Sequence, residues 1–236
     1  MAESLVLLPD VMCDARLWGP QIADLSRDMA VTVAPISGGE RVEEVASGLM
    51  DVLPRRFALA AVGLGGSIAM ELQRRAPDRV ARLMLINASP LGETPAQAAA
   101  LDPLIIKARA GRLFEATRAL IPAESLYPGD YRAEIQAMLD DMALGLGVET
   151  LVRQVRLMQR RRDQQSALRK IRVPTTVLCG AEDAQHPVKR QAFLAELIPG
   201  ARLEVLDEAG RLPMLERPDA VSAAIRAWMA EPLLLR

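Results

Sequence analysis

The sequence is poor in the residues from which many sites are built. It holds a single histidine, His186, in 236 residues. A zinc site needs three or four nitrogen, sulfur or carboxylate ligands, so one histidine leaves little material for it. The two cysteines, Cys13 and Cys179, lie far apart and have no metal-ligand spacing. A reduced, cytoplasmic protein is the simplest reading of that pair, with a disulfide as the alternative. Aromatic residues are scarce, two Trp, two Tyr and three Phe, which argues against base-stacking platforms. The net charge is −1, so no global field draws in nucleic acid or an acidic membrane. No stretch approaches a membrane span, and the start, MAESLVLLPD, lacks the basic region of a secretory signal. There are no repeats and no low-complexity segments.

Half of the chain is hydrophobic and a quarter is charged, as in ordinary soluble globular proteins. The length suits one domain with a full core and room for an inserted subdomain. Short β-rich apolar runs occur at Leu5–Leu8, Val31–Ala34, Phe57–Val62, Val80–Ile86, Thr175–Cys179 and Arg202–Leu206. Amphipathic helical patterns lie between most of them, at Trp18–Arg27, Val42–Leu53, Gly66–Arg75, Val188–Leu197 and Asp219–Met229. Alternation with nearly continuous apolar strands predicts an α/β fold, a mainly parallel sheet of about six strands with helices on both faces.

The alternation breaks once. From about Pro95 to Gln165 there is no convincing strand, only helical text punctuated by Gly111, Pro122, Pro128 and Gly145–Gly147. This predicts a helical cap over residues 94–165, with the core formed by 1–93 and 166–236. A block inserted there covers the carboxyl ends of the strands, where ligands bind in open α/β sheets. The end of the cap is basic: Arg153, Arg156, Arg160, Arg161, Arg162, Arg169, Lys170 and Arg172 face only Asp163. Most of these read as a solvated helix face. One or two could turn inward and hold a carboxylate or phosphate on a ligand.

The segment FALAAVGLGGSIAMEL over Phe57–Leu72 runs from a strand through a sharp glycine turn into a helix. In chain order this is where an α/β-hydrolase places its nucleophile elbow, G-x-S-x-G. LVLLPDVMCDARLW, LCGAEDAQHP and EAGRLPMLERPDAV resemble, in order, the oxyanion loop, the acid-bearing turn and the turn that carries the histidine. From about residue 4 to residue 230 the chain resembles the small, capped esterase-like and carbon–carbon-hydrolase-like branch of the α/β-hydrolase superfamily. The resemblance implies an α/β-hydrolase fold.

The chemistry departs from that pattern at four places. Gly63 falls at the nucleophile and Ala61 at the first glycine of the elbow. Glycine has no side chain to acylate. Arg211 falls at the general base, and a guanidinium does not give up its proton at working pH. At the end of the first strand the pair is Pro9-Asp10 where His-Gly or Pro-Gly is usual. A carboxylate at Asp10 opposes charge build-up beside the oxyanion amides. Those amides are expected from Val11 and from Leu64. Asp183 is the apparent survivor of the triad, without an imidazole at the expected place. A deliberate serine replacement at Gly63 would account for only one of these changes.

Asp10, Asp183 and Arg211 are therefore the expected catalytic or charge-bearing set, with Val11, Gly63, Leu64 and His186 lining the ligand. A buried unpaired charge is costly, so these groups must pair with each other or with a ligand. Simple decay would leave Arg211 neutralising Asp10 and Asp183. A rebuilt site would use Asp10 or Asp183 as acid or base and Arg211 to hold an anion. His186 reads as a rim or loop residue more than a displaced base. Ser67 should point away from the strand end. Cys13 reads as a small buried hydrophobe. Ser89 and Tyr127 are weaker candidates. A dinucleotide turn is disfavoured, because Ile68 stands where its third glycine belongs.

These readings lead to a non-hydrolytic enzyme of lyase, isomerase, dehydratase or cyclase type, acting on a small, anionic organic molecule. The alternatives are a binding or regulatory pseudohydrolase and an esterase that uses unrecognised residues. No cofactor, metal, nucleic acid or membrane partner is expected, and the chain is read as a monomer or homodimer.

Overall fold

The computed structural model describes residues 3–233. Six strands form one sheet: β1 (Ser4–Leu8), β2 (Val31–Val33), β3 (Phe57–Val62), β4 (Val80–Ile86), β5 (Thr175–Gly180) and β6 (Arg202–Leu206). Their order is β2-β1-β3-β4-β5-β6, and every neighbouring pair is parallel. All residues of β3, β4 and β5 are buried, as a sheet covered on both faces requires. Each large aliphatic side chain sealed there contributes about 1.5–3 kcal/mol. The runs of Val, Leu, Ile and Ala that predict the strands therefore also supply the core.

Helices α1 (Gly19–Leu25), α2 (Val42–Val52) and α3 (Leu64–Arg75) connect the first four strands. After β4 come α4 (Pro95–Ala100), α5 (Asp102–Arg109), α6 (Leu113–Leu120), α7 (Arg132–Arg160) and α8 (Gln165–Leu168). No strand interrupts this helical block among the described residues. The chain breaks the helical conformation inside α7 at Gly147, where φ is 76° and ψ is 173°. Helices α9 (Val188–Leu197), α10 (Pro213–Glu216) and α11 (Pro218–Ala230) complete the fold.

One boundary differs from the sequence expectation in a way that matters. Helix α3 starts at Leu64, two residues before the Gly66 expected from periodicity. Three glycines in four residues weaken the local helix signal, yet Gly65 has to sit there. A Cβ on Gly65 would stand 2.4 Å from the Pro9 carbonyl oxygen. Its absence lets the first turn of α3 press against the end of β1. That contact sets the Leu64 amide beside Asp10.

Candidate functional site

The site forms at the carboxyl ends of β1, β3, β5 and β6. Past β3 the backbone turns at Gly63 with φ 53° and ψ −116°, a conformation that side-chain-bearing residues adopt only under strain. Past β1, Asp10 turns inward and is fully buried. Its Oδ1 accepts from the amides of Val11 at 2.7 Å and Leu64 at 2.8 Å. The side chain therefore lies directly over Gly63: a Cβ added to Gly63 would stand 2.0 Å from Asp10 Oδ1 and 2.3 Å from Oδ2. The Met12 amide, at a positive φ of 53°, donates to Gln154 Oε1 of α7 at 2.7 Å. That bond ties the loop to the cap.

Arg211 reaches the same carboxylate from the turn after β6. Its Nε and Nη2 each lie 2.8 Å from Asp10 Oδ2, a paired geometry well suited to a guanidinium. Burial opposes its charge, but the Asp10 and Asp183 carboxylates outweigh that and raise its pKa. The turn that carries it is fixed on three sides. The Arg211 amide donates to the Ser125 carbonyl at 2.7 Å. Asn87 Nδ2 donates to the carbonyls of Gly210 and Arg211, each at 2.9 Å. Glu216 accepts from the amides of Gly210, Leu212 and, across to the cap, Tyr127.

Asp183 follows β5. Its Oδ1 accepts from the amides of Gln185 at 2.8 Å and His186 at 3.1 Å. This tight turn folds His186 back, so that its Nδ1 lies 3.2 Å from Asp183 Oδ2. Arg211 Nη1 contacts both ring nitrogens. Burial raises the Asp183 carboxyl, but the His186 hydrogen bonds and the Arg211 charge outweigh it, and the group sits below the usual carboxylate range. Burial and the Arg211 charge hold His186 below the usual imidazole range, against the pull of the carboxylates.

Above these groups opens a cavity of about 540 Å³, within the usual range for small-molecule sites. Asp10, Val11, Gly63, Leu64, His186 and Arg211 line it. Asp183 sits behind His186. The expected residues thus meet in one place. His186 lines the cavity with the others, its ring set between Asp183 and Arg211. The anion that Arg211 holds is the protein's own Asp10, the first of the two arrangements expected from the sequence.

Other candidates lie elsewhere. Ser67 is buried on α3 and receives Arg161 Nη1 at 3.4 Å. Cys13 is buried and lines a separate cavity of about 100 Å³ beside the loop that follows β1. Ser89 lines the main cavity. Tyr127 contributes its amide to Glu216. Of the basic run, Arg161 turns inward and pairs with Glu93 at 2.6 Å. Arg156, Arg160 and Arg162 form ion pairs at the surface. Among the described residues no cluster of three or more His, Cys, Asp or Glu side chains could hold a metal ion. No helix among them is long and apolar enough to cross a membrane.

Comparison with known proteins agrees with this architecture. The model of the alpha/beta hydrolase family matches residues 14–224. The chain belongs to the α/β hydrolase family. It is 30% identical to a pimeloyl-[acyl-carrier protein] methyl ester esterase of Aromatoleum aromaticum, over 94% of this chain and 96% of that one. It is 27% identical to a putative carbamate hydrolase RutD of Pseudomonas savastanoi pv. phaseolicola, over 92% and 90%. Among solved structures, an enol-lactonase from Burkholderia xenovorans superposes with a TM-score of 0.86 at 25% identity, covering 98% of this chain and 92% of that one. A thermophilic esterase from Thermogutta terrifontis superposes with a TM-score of 0.87 at 24% identity, covering 96% and 89%.

Proposed function

We propose that this α/β hydrolase family member works without an acyl-enzyme, and that its cavity performs non-covalent acid–base chemistry on a small organic molecule. Lyase, isomerase, dehydratase and cyclase reactions belong to this class. The observation that carries the reading is the position of Asp10 Oδ1 between the Val11 and Leu64 amides. In acyl transfer those two donors stabilise the negative oxygen of the substrate. Here a carboxylate of the protein occupies them. Gly63 takes the nucleophile's place and Arg211 the base's, so neither an attacking hydroxyl nor a proton acceptor stands at those positions.

His186 is the proton carrier in this reading. Both oxygens of Asp10 are engaged, and those of Asp183 serve the turn and the ring. Asp183 Oδ2 lies 3.2 Å from Nδ1 of the imidazole, which orients the ring. With His186 neutral, the floor holds two carboxylates against one guanidinium. Taking a proton from substrate onto His186 cancels that excess charge, while burial and the Arg211 charge keep the imidazolium from persisting. Arg211 anchors Asp10 and stacks its charge beside the ring, which returns the proton readily.

The test is a fluorophosphonate probe followed by intact-mass measurement, with product analysis by NMR for compounds that raise the melting temperature. No adduct is expected, together with turnover that is lost in His186→Gln. A stoichiometric adduct overturns the reading, and tight binding without conversion makes the chain a binding protein. The names of the relatives favour a second reading, in which the His186–Asp183 pair activates water on an ester or carbamate. Release of alcohol or amine from such compounds without labelling at any residue would establish it.

A further inference from the structure

The donors at the floor of the cavity are turned towards the protein's own acceptors. Val11 and Leu64 both spend their amides on Asp10 Oδ1. Arg211 commits Nε and one hydrogen of Nη2 to Asp10 Oδ2 and directs Nη1 at both ring nitrogens of His186. His186 Nδ1 faces Asp183. These are the groups that would otherwise grip a carboxylate or phosphate.

The charges point the same way. Asp10 and Asp183 are 0% and 2% exposed and face a single buried guanidinium, Arg211 at 6%. Nothing higher in the cavity offsets the remaining negative charge. On the wall, Arg161 and Glu93 neutralise each other at 2.6 Å. At the rim, Arg190 and Asp163, both exposed, are of opposite sign. The wall also offers an acceptor: Gln185 lines the cavity, and its Oε1 is buried without a partner. Arg161 Nε is likewise buried without a partner, but it belongs to a guanidinium already neutralised by Glu93.

We propose that the head group this cavity takes at its floor is a nitrogen-bearing donor, cationic in preference to neutral, and that carboxylates and phosphates are disfavoured there. The proposal rests on the reading of this cavity as the functional site. An amine or amidine would donate towards His186 and Gln185 and add the positive charge that Asp10 and Asp183 lack. A ligand carboxylate would meet two buried like charges against a single floor guanidinium that Asp10 already holds. Substrates with an amino, amidino or imino end therefore fit this chain better than acids.

The experiment uses benzamidine, benzamide and benzoate, three probes of nearly the same shape, titrated calorimetrically into the full chain at neutral pH. The expected order of affinity is benzamidine, benzamide, benzoate, with a gap of roughly tenfold or more between the first and last. Asp10→Asn removes one floor charge and releases Arg211, so benzoate should gain on benzamidine. Glu93→Gln should shift the same ratio in the same direction by freeing Arg161, and it does so even where Asp10→Asn fails to fold. Benzoate binding as tightly as benzamidine overturns the proposal. So does an unchanged ratio in the folded variants, or the absence of binding by all three. Labelling and turnover do not enter these readouts, so the charge preference and the reaction class fail separately.

Discussion

Gly63→Ala asks whether one volume is contested by two side chains. The added Cβ would stand 2.0 to 2.3 Å from the three carboxylate atoms of Asp10. Alanine at a φ of 53° and ψ of −116° carries backbone strain of about 1–3 kcal/mol. The larger cost is indirect. Asp10 has to leave the Val11 and Leu64 amides and Arg211, and a buried guanidinium stripped of its partner costs roughly 3–5 kcal/mol. Together these reach about 4–8 kcal/mol, a large share of the 5–15 kcal/mol that holds a domain folded. Asp10→Gly alone should cost about 3–5 kcal/mol for the same stranded Arg211. In the double variant that cost is incurred once. Urea unfolding of the four proteins should therefore show the double variant less destabilised than the sum, by roughly 3 kcal/mol, at the upper end of couplings between touching residues. Additivity within about 0.5 kcal/mol would refute the claim that Asp10 fills the side-chain space of residue 63.

Four further outcomes are expected. His186 has a folded pKa below its unfolded value, so the unfolded chain takes up the proton first. Its contribution to stability is complete above about pH 6.5 and is lost as the pH falls from there towards the folded pKa. Denaturation followed across that range should show the slope, and His186→Gln should flatten it. The Asp183 carboxyl is held low, so its contribution is present above about pH 3.9 and is lost as the pH falls through the folded pKa. Cys13 is fully enclosed and Cys179 is pushed up to about 11 by burial and by Asp183; both should resist a thiol reagent at pH 8 in the native protein and react in guanidinium, which mass measurement resolves. Glu216→Gln places an amide donor among three backbone donors, and should cost about 1–3 kcal/mol with a lowered melting temperature.

The fold was legible because its signal is continuous. Uninterrupted apolar runs such as Leu83–Ile86 have no polar face to hide, and they can only be buried strands or buried helix; their length and the glycine turns decide between the two. The residues that meet at the strand ends were legible from chain order. Their directions were not. Nothing in Pro9-Asp10-Val11 says whether the carboxylate points into the cavity, since a small backbone rotation would send it to solvent. The direction of the His186 ring was hidden for a similar reason. Three residues of loop do not bring a side chain back, unless the acid at the first of them caps the amides of the second and third, as Asp183 does. Arg161 turns inward because α7 stops at Arg160 and the next residue is extended, which breaks the helical face that keeps its neighbours in solvent. Gln154 acts through one hydrogen bond to distant backbone and Glu216 through three to backbone amides, and composition carries no trace of that.

Asp10, Gly63 and Arg211 make sense only as a set. With a side chain at residue 63, Asp10 cannot occupy the two amides. With Asp10 there and a neutral residue at 211, a buried carboxylate would lack its strongest partner. With Arg211 there and no Asp10, a buried cation would rest on Asp183 through His186 alone. Independent losses at three positions would more often leave one of these charges stranded, or leave a void. Here every charged atom on the floor is paired, and the cavity above it is open at about 540 Å³. A pair built only to seal a disused oxyanion hole would not need His186 drawn in from the rim, with its ring set between Asp183 and Arg211 and facing that space. The rebuilt-site reading rests on this one imidazole, so His186→Gln is the variant in which ligand binding and turnover should come apart.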